Sequence, residues 1–331
     1  MRAPKANGKI MNGKITGWLR SAAMLVLVCH APLLRAADAE LERLKVAASA
    51  NRATLAVRTE YLGVNGYAFE HTEFQIDTGR RAYALQYKSF LGPQAALNPK
   101  SLNDWCSGYG MLKPHPYWYH GGFLSATVAG ASSVCMDGIQ GQVRPLETAG
   151  PRVGYDLVFA AGTGLVIIRT VALAGRDELF VSVSGKLNSG ENATLTSAFR
   201  GYPLGMKGPF DRWVHGHGQD LQNSGPTRTT TPLKLDGAPW LLLADHKLDP
   251  DGRQSGLLGL IFDRKAVSGA TLTTDNYSIT VSVEGPATTE QRFIVYTLGP
   301  LTWEAACKKL ADVKDATELL GQAFEGLPNF P

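Results

Sequence analysis

The sequence predicts an all-β protein, one large antiparallel β-sandwich with a short C-terminal helical segment. Three observations predict it. Eleven or more segments, most of them five to nine residues long, are rich in Val, Ile, Thr, Tyr and Phe and are bounded by Gly, Pro, Asn or Asp. These segments follow one another without intervening helices, which argues against a parallel α/β sheet. Long helical periodicity comes only near the end of the chain.

The N-terminus reads as a targeting segment. Arg2, Lys5, Lys9, Lys14 and Arg20 form a basic stretch with no acidic residue, and the apolar run SAAMLVLVCHAPLL (21–34) follows. Small residues at Ala36, or at Ala37 and Ala39, then offer cleavage sites. That order is the signature of a secretory signal peptide. The expected division is a signal peptide over 1–36 and a single β-sandwich domain over 37–331, with the protein exported to the periplasm or outside the cell. The apolar run is too short, and too soon followed by Pro32, for a spanning helix of about 20 residues. No membrane span is therefore expected after cleavage. Lipid attachment at Cys29 is the alternative, but Val28 stands where a small residue is normally needed.

A short helix is expected over 38–50, and strands then follow in order. TLAVRTEYL (54–62) alternates Leu55, Val57, Thr59 and Tyr61 against Ala56, Arg58 and Glu60, and YAFEHTEFQI (67–76) puts Tyr67, Phe69 and His71 on one face. AYALQYKSF, GFLSATVAG, YDLVFAAGTGLVIIRTVALAG, ELFVSVSGKL and ATLTSAFRGYP continue the pattern. The AAGTG inside the third of these marks a hairpin. PWLLLADHK, GLLGLIFDR, ATLTTDNYSITVSVEG and RFIVYTLG complete the series. TWEAACKKLADVKDATELLGQAF (302–324) is helical, with Thr302 as N-cap, Glu304 in the first turn and a break near Lys314–Asp315.

Charge and cysteine content exclude several classes. Residues 1–36 hold six of the 33 basic residues and none of the 29 acidic ones, leaving 27 against 29, a net charge of −2. No basic footprint for nucleic acid remains, and no nucleic-acid partner is expected. Without Cys29 three cysteines remain, and an oxidising compartment permits a Cys106–Cys135 disulfide with Cys307 buried and free. The chain has no G-x-S-x-G elbow, H-E-x-x-H helix, P-loop or zinc-ligand spacing, so no cofactor and no metal are expected. The turn DHKLDPDGR (245–253) carries three aspartates but not the calcium-loop spacing.

Two stretches depart from sandwich regularity. Residues 88–122 hold four prolines and five glycines with little periodicity, and loops that long are usually functional or disordered. Its aromatic content argues for order. Trp105, His115, Tyr117, Trp118, Tyr119 and His120 are candidate sugar contacts, because aromatic rings cover the apolar face of a pyranose while polar side chains bond its hydroxyl rim. Packing of the same rings in the core is the other reading. The second stretch, FRGYPLGMKGPFDRWVHGHGQD (199–220), offers Arg200, Tyr202, Arg212, His215 and His217 as candidate catalytic groups. Histidine is the natural acid or base near neutral pH, and an arginine fork can hold a uronate carboxylate. A loop histidine pair bonded to backbone, or two nitrogens of a metal site completed by His71, His246 or Asp245, remain open.

This run of antiparallel strands, with an aromatic loop and a late Arg/His strand, resembles the galactose-mutarotase-like supersandwich. That architecture is found in aldose epimerases and in the sandwich domains of polysaccharide lyases and some glycoside hydrolases. The resemblance implies a carbohydrate ligand and, in the epimerases, a His acid paired with a Glu base. Glu284 and Glu290 fall at a hairpin between strands, and no catalytic residue is carried over. Two functions follow as expectations. One is carbohydrate binding with proton abstraction of the lyase or epimerase type. The other is a non-catalytic envelope sandwich that serves as a structural or partner-binding module.

Overall fold

Alternating apolar and polar residues give each segment one side that must leave water, and two such sheets satisfy one another face to face. The computed structural model of the chain describes residues 52–64, 66–93, 108–114, 118–119, 121–129, 141–161, 164–187, 193–201, 212–216, 219–223, 227–234, 240–245, 257–274, 278–299, 301–313 and 316–328. For 212–216 and 219–223 the description is of the backbone. The expected signal peptide, the helix over 38–50, and Cys106 and Cys135 lie outside these residues.

One sheet has ten strands. In spatial order they are β14 (Thr229–Pro232), β17 (Gly269–Thr274), β18 (Ile279–Pro286), β11 (Thr194–Gly201), β5 (Leu124–Val128), β4 (Gly108–Lys113), β3 (Ala82–Phe90), β2 (Tyr67–Asp77), β1 (Ala53–Val64) and β7 (Ala149–Gly150). The other has nine: β13 (Gln219–Asn223), β12 (Arg212–Gly216), β15 (Trp240–Asp245), β16 (Leu258–Phe262), β19 (Gln291–Thr297), β10 (Leu179–Leu187), β9 (Gly164–Leu173), β8 (Arg152–Ala161) and β6 (Gly141–Glu147). Every pairing between these strands is antiparallel. The expected all-β sandwich is what the chain forms.

The inward faces share one apolar core. Phe74 stacks on Tyr155 with ring centroids 3.8 Å apart. The Tyr109 hydroxyl meets the Tyr155 hydroxyl at 2.6 Å and Thr170 Oγ1 at 2.8 Å, so a buried polar chain crosses from one sheet to the other with its hydroxyls partnered. On β2 the inward residues are Phe74 and Ile76, which puts Tyr67, Phe69 and His71 outside, where Phe69 packs on Phe90. β1 outruns the opposing sheet: Leu55 is buried, whereas Tyr61 on the same side is 74% exposed.

The strandless reading of 88–122 is corrected by β4, which lies within it and pairs with β3. Its inward residues are Tyr109 and Met111, while its outward ones, Gly108 and Gly110, supply no side chain to mark the alternation.

A second apolar layer covers the outside of the nine-stranded sheet. Helix α1 (Trp303–Ala311) and helix α2 (Ala316–Phe324) place Ala306, Leu310, Leu320 and Phe324 against Leu242, Ile261, Ile294 and Tyr296. Thr302 caps α1, its hydroxyl accepting from Ala305 N at 3.2 Å, and the helices flank 312–315, where the sequence pattern breaks. Cys307 is a free thiol on α1, half-buried rather than buried, and burial raises its pKa. Arginines from the sheet then tie down the C-terminal end. Arg152 donates to the carbonyls of Ala323 and Glu325, at 3.2 and 2.6 Å, and buried Arg169 donates to Pro328 O while gripping Asp156 at 2.7 and 3.1 Å.

At the α1 end Asp177 accepts from Lys309 and pairs with Arg80 at 2.8 Å. Burial raises the Asp177 pKa, but the Lys309 hydrogen bond and the charges of Lys309 and Arg80 outweigh it and hold the carboxyl below its ordinary value. A folded pKa below the unfolded one gives stability that is full above the unfolded value of about 4 and is lost as pH falls through the folded one. Lys309→Met should therefore be less stable than the parent near neutral pH, with the difference shrinking below about pH 4. Urea unfolding midpoints at several pH values measure this, and a difference independent of pH would contradict it.

Candidate functional site

With the helices on one side, the outer face of the ten-stranded sheet is where side chains meet solvent. On β11, burying Leu195, Ser197 and Phe199 turns Thr196, Ala198 and Arg200 outward. By the same parity β5 presents Ser125, β18 presents Thr280 and Ser282, and β17 presents Thr271 and Thr273. Of these, Ser125, Ala198, Thr273, Thr280 and Ser282 line a cleft of about 300 Å³ together with Arg200 and Arg228. Among the described residues the lining has four hydroxyls and two guanidinium groups, and none is acidic.

Arg200 is fixed from several sides. Its N–H donates to Phe123 O at 2.9 Å, and its carbonyl accepts from Tyr119 N at 3.0 Å. Its guanidinium carbon lies 4.7 Å from the centroid of the Tyr119 ring, a cation–π contact, and Nε is 3.4 Å from Ser278 Oγ. Trp118 forms a bridge with Gly201. Two residues of the aromatic loop and the end of β11 are thus brought together.

Trp118 itself is a core residue. It is 2% exposed, its ring packs edge-on against Phe123 and Phe199, and its indole N–H donates to Tyr296 O at 3.1 Å. It therefore offers no free face to a ligand. Tyr119 is also buried and serves as the support beneath Arg200.

Arg212 and His215 are not beside Arg200. They lie on β12 in the nine-stranded sheet, where His215 is opposite Asp220 on one side and Leu242 on the other, and Arg212 is opposite Asn223 and Asp245. Leu242 belongs to the layer beneath the helices. Tyr202, His217, Trp105, His115, Tyr117 and His120 lie outside the described residues. Of the two acidic residues at the β18–β19 hairpin, Glu284 is opposite Thr196, and Glu290 pairs with Arg292 at 2.6 Å.

His71 is on the outer face of the same sheet as the cleft, held between Glu60 Oε1 and Gln86 Oε1 at 3.1 Å each. Among the described residues no group of three His, Cys, Asp or Glu side chains converges as metal ligands, and no helix is long and apolar enough to cross a membrane. A second cleft, about 450 Å³, lies between the helices and the sheet beside Arg176, Glu178, Tyr296 and Lys309. Four of its charged and phenolic side chains are bonded internally. Arg176 grips Glu178 at 3.0 and 3.1 Å, Tyr296 donates to Glu178 at 3.1 Å, and Lys309 bonds Asp177. Burial and then the Glu178 charge push the Tyr296 phenol well above its ordinary pKa.

Ser125, Thr273, Thr280, Ser282 and Arg228 were not among the sequence candidates. The signal for the threonines and serines is outward parity, as in ATLTT, where Thr271 and Thr273 alternate with Ala270 and Leu272. Nothing in the linear order says that β17, β18, β11 and β5 are neighbours.

No protein-family model matches the chain, and no curated protein matches it by sequence. Solved structures are similar to it at low identity. The α-N-acetylgalactosaminidase NagBb from Bifidobacterium bifidum, in complex with GalNAc, has a TM-score of 0.45 and 15% identity over 78% of this chain and 39% of that one. The GH36 α-galactosidase AgaA A355E from Geobacillus stearothermophilus, with 1-deoxygalactonojirimycin, has a TM-score of 0.39 and 10% identity over 69% of this chain and 41% of that one. The galactosidase domain of the α-galactosidase-sucrose kinase AgaSK has a TM-score of 0.41 and 12% identity over 72% and 42%. The chain spans about two fifths of the length of these structures.

Trp118→Ala should cost about 3–5 kcal/mol of stability, as removal of a buried indole does. Chemical denaturation measures it, and a loss below about 1 kcal/mol would show that the ring does not carry the packing.

Proposed function

We propose that the protein is an exported carbohydrate-binding β-sandwich that holds an acidic sugar in the cleft on the outer face of its ten-stranded sheet. The observation that supports this reading is the lining of that cleft. Arg200 and Arg228 supply positive charge and planar donor forks suited to a carboxylate, while Ser125, Thr273, Thr280 and Ser282 supply hydroxyls for a sugar rim. The basic, then apolar, then small-residue order of the N-terminus supports export. The same reading keeps the chain within the supersandwich class that its sequence resembles.

A second reading is elimination on the same ligand, favoured by the Arg200 guanidinium in the cleft lining. Tyr202 and His120, which follow Gly201 and Tyr119 in the sequence, are the candidate groups for proton transfer. In such a step the base takes the proton α to the carboxylate, the bond to the β oxygen breaks, and that oxygen leaves with a proton. The product is an unsaturated uronate, and Arg200 would stabilise the charge that develops on the carboxylate.

Calorimetric titration with galacturonate and glucuronate oligosaccharides, beside neutral galactose oligosaccharides, tests the binding reading. Arg200→Ala should weaken binding of the acidic ligands about tenfold or more, as loss of a charge-assisted hydrogen bond of about 1.5–3 kcal/mol implies. Equal binding by parent and variant would sink the assignment of the site. The ultraviolet absorbance of unsaturated uronate, followed for parent, His120→Ala and Tyr202→Phe on the same oligosaccharides, tests elimination. Turnover by the parent that either variant loses supports it, and no absorbance change with bound ligand leaves a binding protein without that chemistry.

A further inference from the structure

We infer that the ligand is a chain of several sugar residues lying across the strands, rather than one sugar seated in the cleft. The inference rests on the acidic-carbohydrate reading and concerns the extent and direction of that site.

Strand register supplies the argument. Pro232 is opposite Thr271, Thr271 opposite Ser282, Ser282 opposite Ala198, and Ala198 opposite Ser125. These five residues form one row perpendicular to five consecutive strands. A second row beside it runs Thr230, Thr273, Thr280, Arg200 by the same pairings. Adjacent strands are about 4.8 Å apart, so the first row is roughly 19 Å long. Its outward side chains are all short and are half-buried or exposed, so the row itself forms a continuous shelf.

The cleft occupies the middle and one end of this shelf, at Ser125, Ala198, Ser282, Thr280, Thr273 and Arg200. Beyond it the rows continue over Thr271, Thr230 and Pro232 to β14, the last strand of the sheet. A ligand confined to the cleft would not touch Thr271 or Thr230, whose hydroxyl meets that of Thr273 at 3.0 Å; an extended one reaches both.

Charge sets the direction. One row further along the strands, Glu284 stands beside Thr196 and Gly269. Thr196 is four residues from Arg200 on β11, about 13 Å along the strand. A chain bearing carboxylates and running along the strands would leave the arginines and meet that carboxylate. A chain running along the two rows keeps to the hydroxyls and arginines.

Titration of the full-length protein with galacturonate monomer, dimer, trimer, tetramer and hexamer tests this. Affinity should rise with length, about fivefold for each further residue that gains one or two hydrogen bonds, and level off once the shelf is filled. Thr271→Trp, outward on the shelf beyond the cleft, should remove most of the gain for the tetramer and leave the dimer within about twofold. Thr230→Glu, at an exposed site, should act in the same direction should the tryptophan variant unfold. Equal affinity for monomer and hexamer overturns the chain inference while leaving acidic-sugar binding in place. A tetramer unaffected by both variants in folded protein overturns the assigned direction. Loss of all binding, with the parent folded, overturns both this inference and the reading beneath it.

Discussion

The burial of Phe199 is the constraint on which the site depends. Its ring packs against Phe293 at 4.6 Å, Phe123 at 5.6 Å and Trp118 at 6.4 Å, which joins both sheets and the aromatic loop in one cluster. Side chains on a strand alternate faces, so holding Phe199 inward obliges Ala198 and Arg200 to point outward. A shift of one residue in the β11 register would bury the guanidinium and expose the phenyl ring. Packing at the centre of the sandwich thereby fixes where the charge of the site stands.

The two outer faces diverge for reasons that are also energetic. The nine-stranded sheet has apolar residues outside as well as inside, and α1 and α2 cover them. Under that layer the Arg169–Asp156 pair is almost wholly buried and additionally bonds Pro328 O, which satisfies guanidinium donors that burial would otherwise leave costly. Between β5 and β14 the ten-stranded sheet presents hydroxyls and arginines to solvent instead. A ligand meets hydroxyls and arginines on that side, whereas beside Tyr296 it meets charges largely paired with one another.

Much of the fold was legible because burial leaves a period in the sequence. AYALQYKSF and RFIVYT announce β3 and β19, and Thr302 and the interruption near 314 announce the helical hairpin. What escaped did so for physical reasons. β4 alternates large residues with glycine, so one of its faces is silent. Tyr67, Phe69 and His71 do share a face, but it is the outer one, because Phe69 packs on Phe90 outside while Phe74 and Ile76 fill the core. For Trp118 the sequence allows either core or ligand contact, and its indole N–H on Tyr296 O places it in the core. Arg200 and His215, fifteen residues apart in the chain, stand on different sheets because the chain changes sheet between β11 and β12.

The sequence by itself determined the class of fold and the place in the chain and parity of most of its strands, because hydrophobic burial acts on local periodicity and needs no partner to be named; β6, β7, β13 and β14, like β4, were not in its series. It also marked Arg200 as a side chain worth following. Which strands become neighbours, and so which outward residues share a surface, was decided only by the tertiary structure. Ser125, Ala198, Ser282 and Thr271 come from four segments spread over 158 positions of the chain, yet the strand pairings set them in one row. Each of those pairings is a long-range contact whose register depends on the core beneath it, and local periodicity carries no record of the partner.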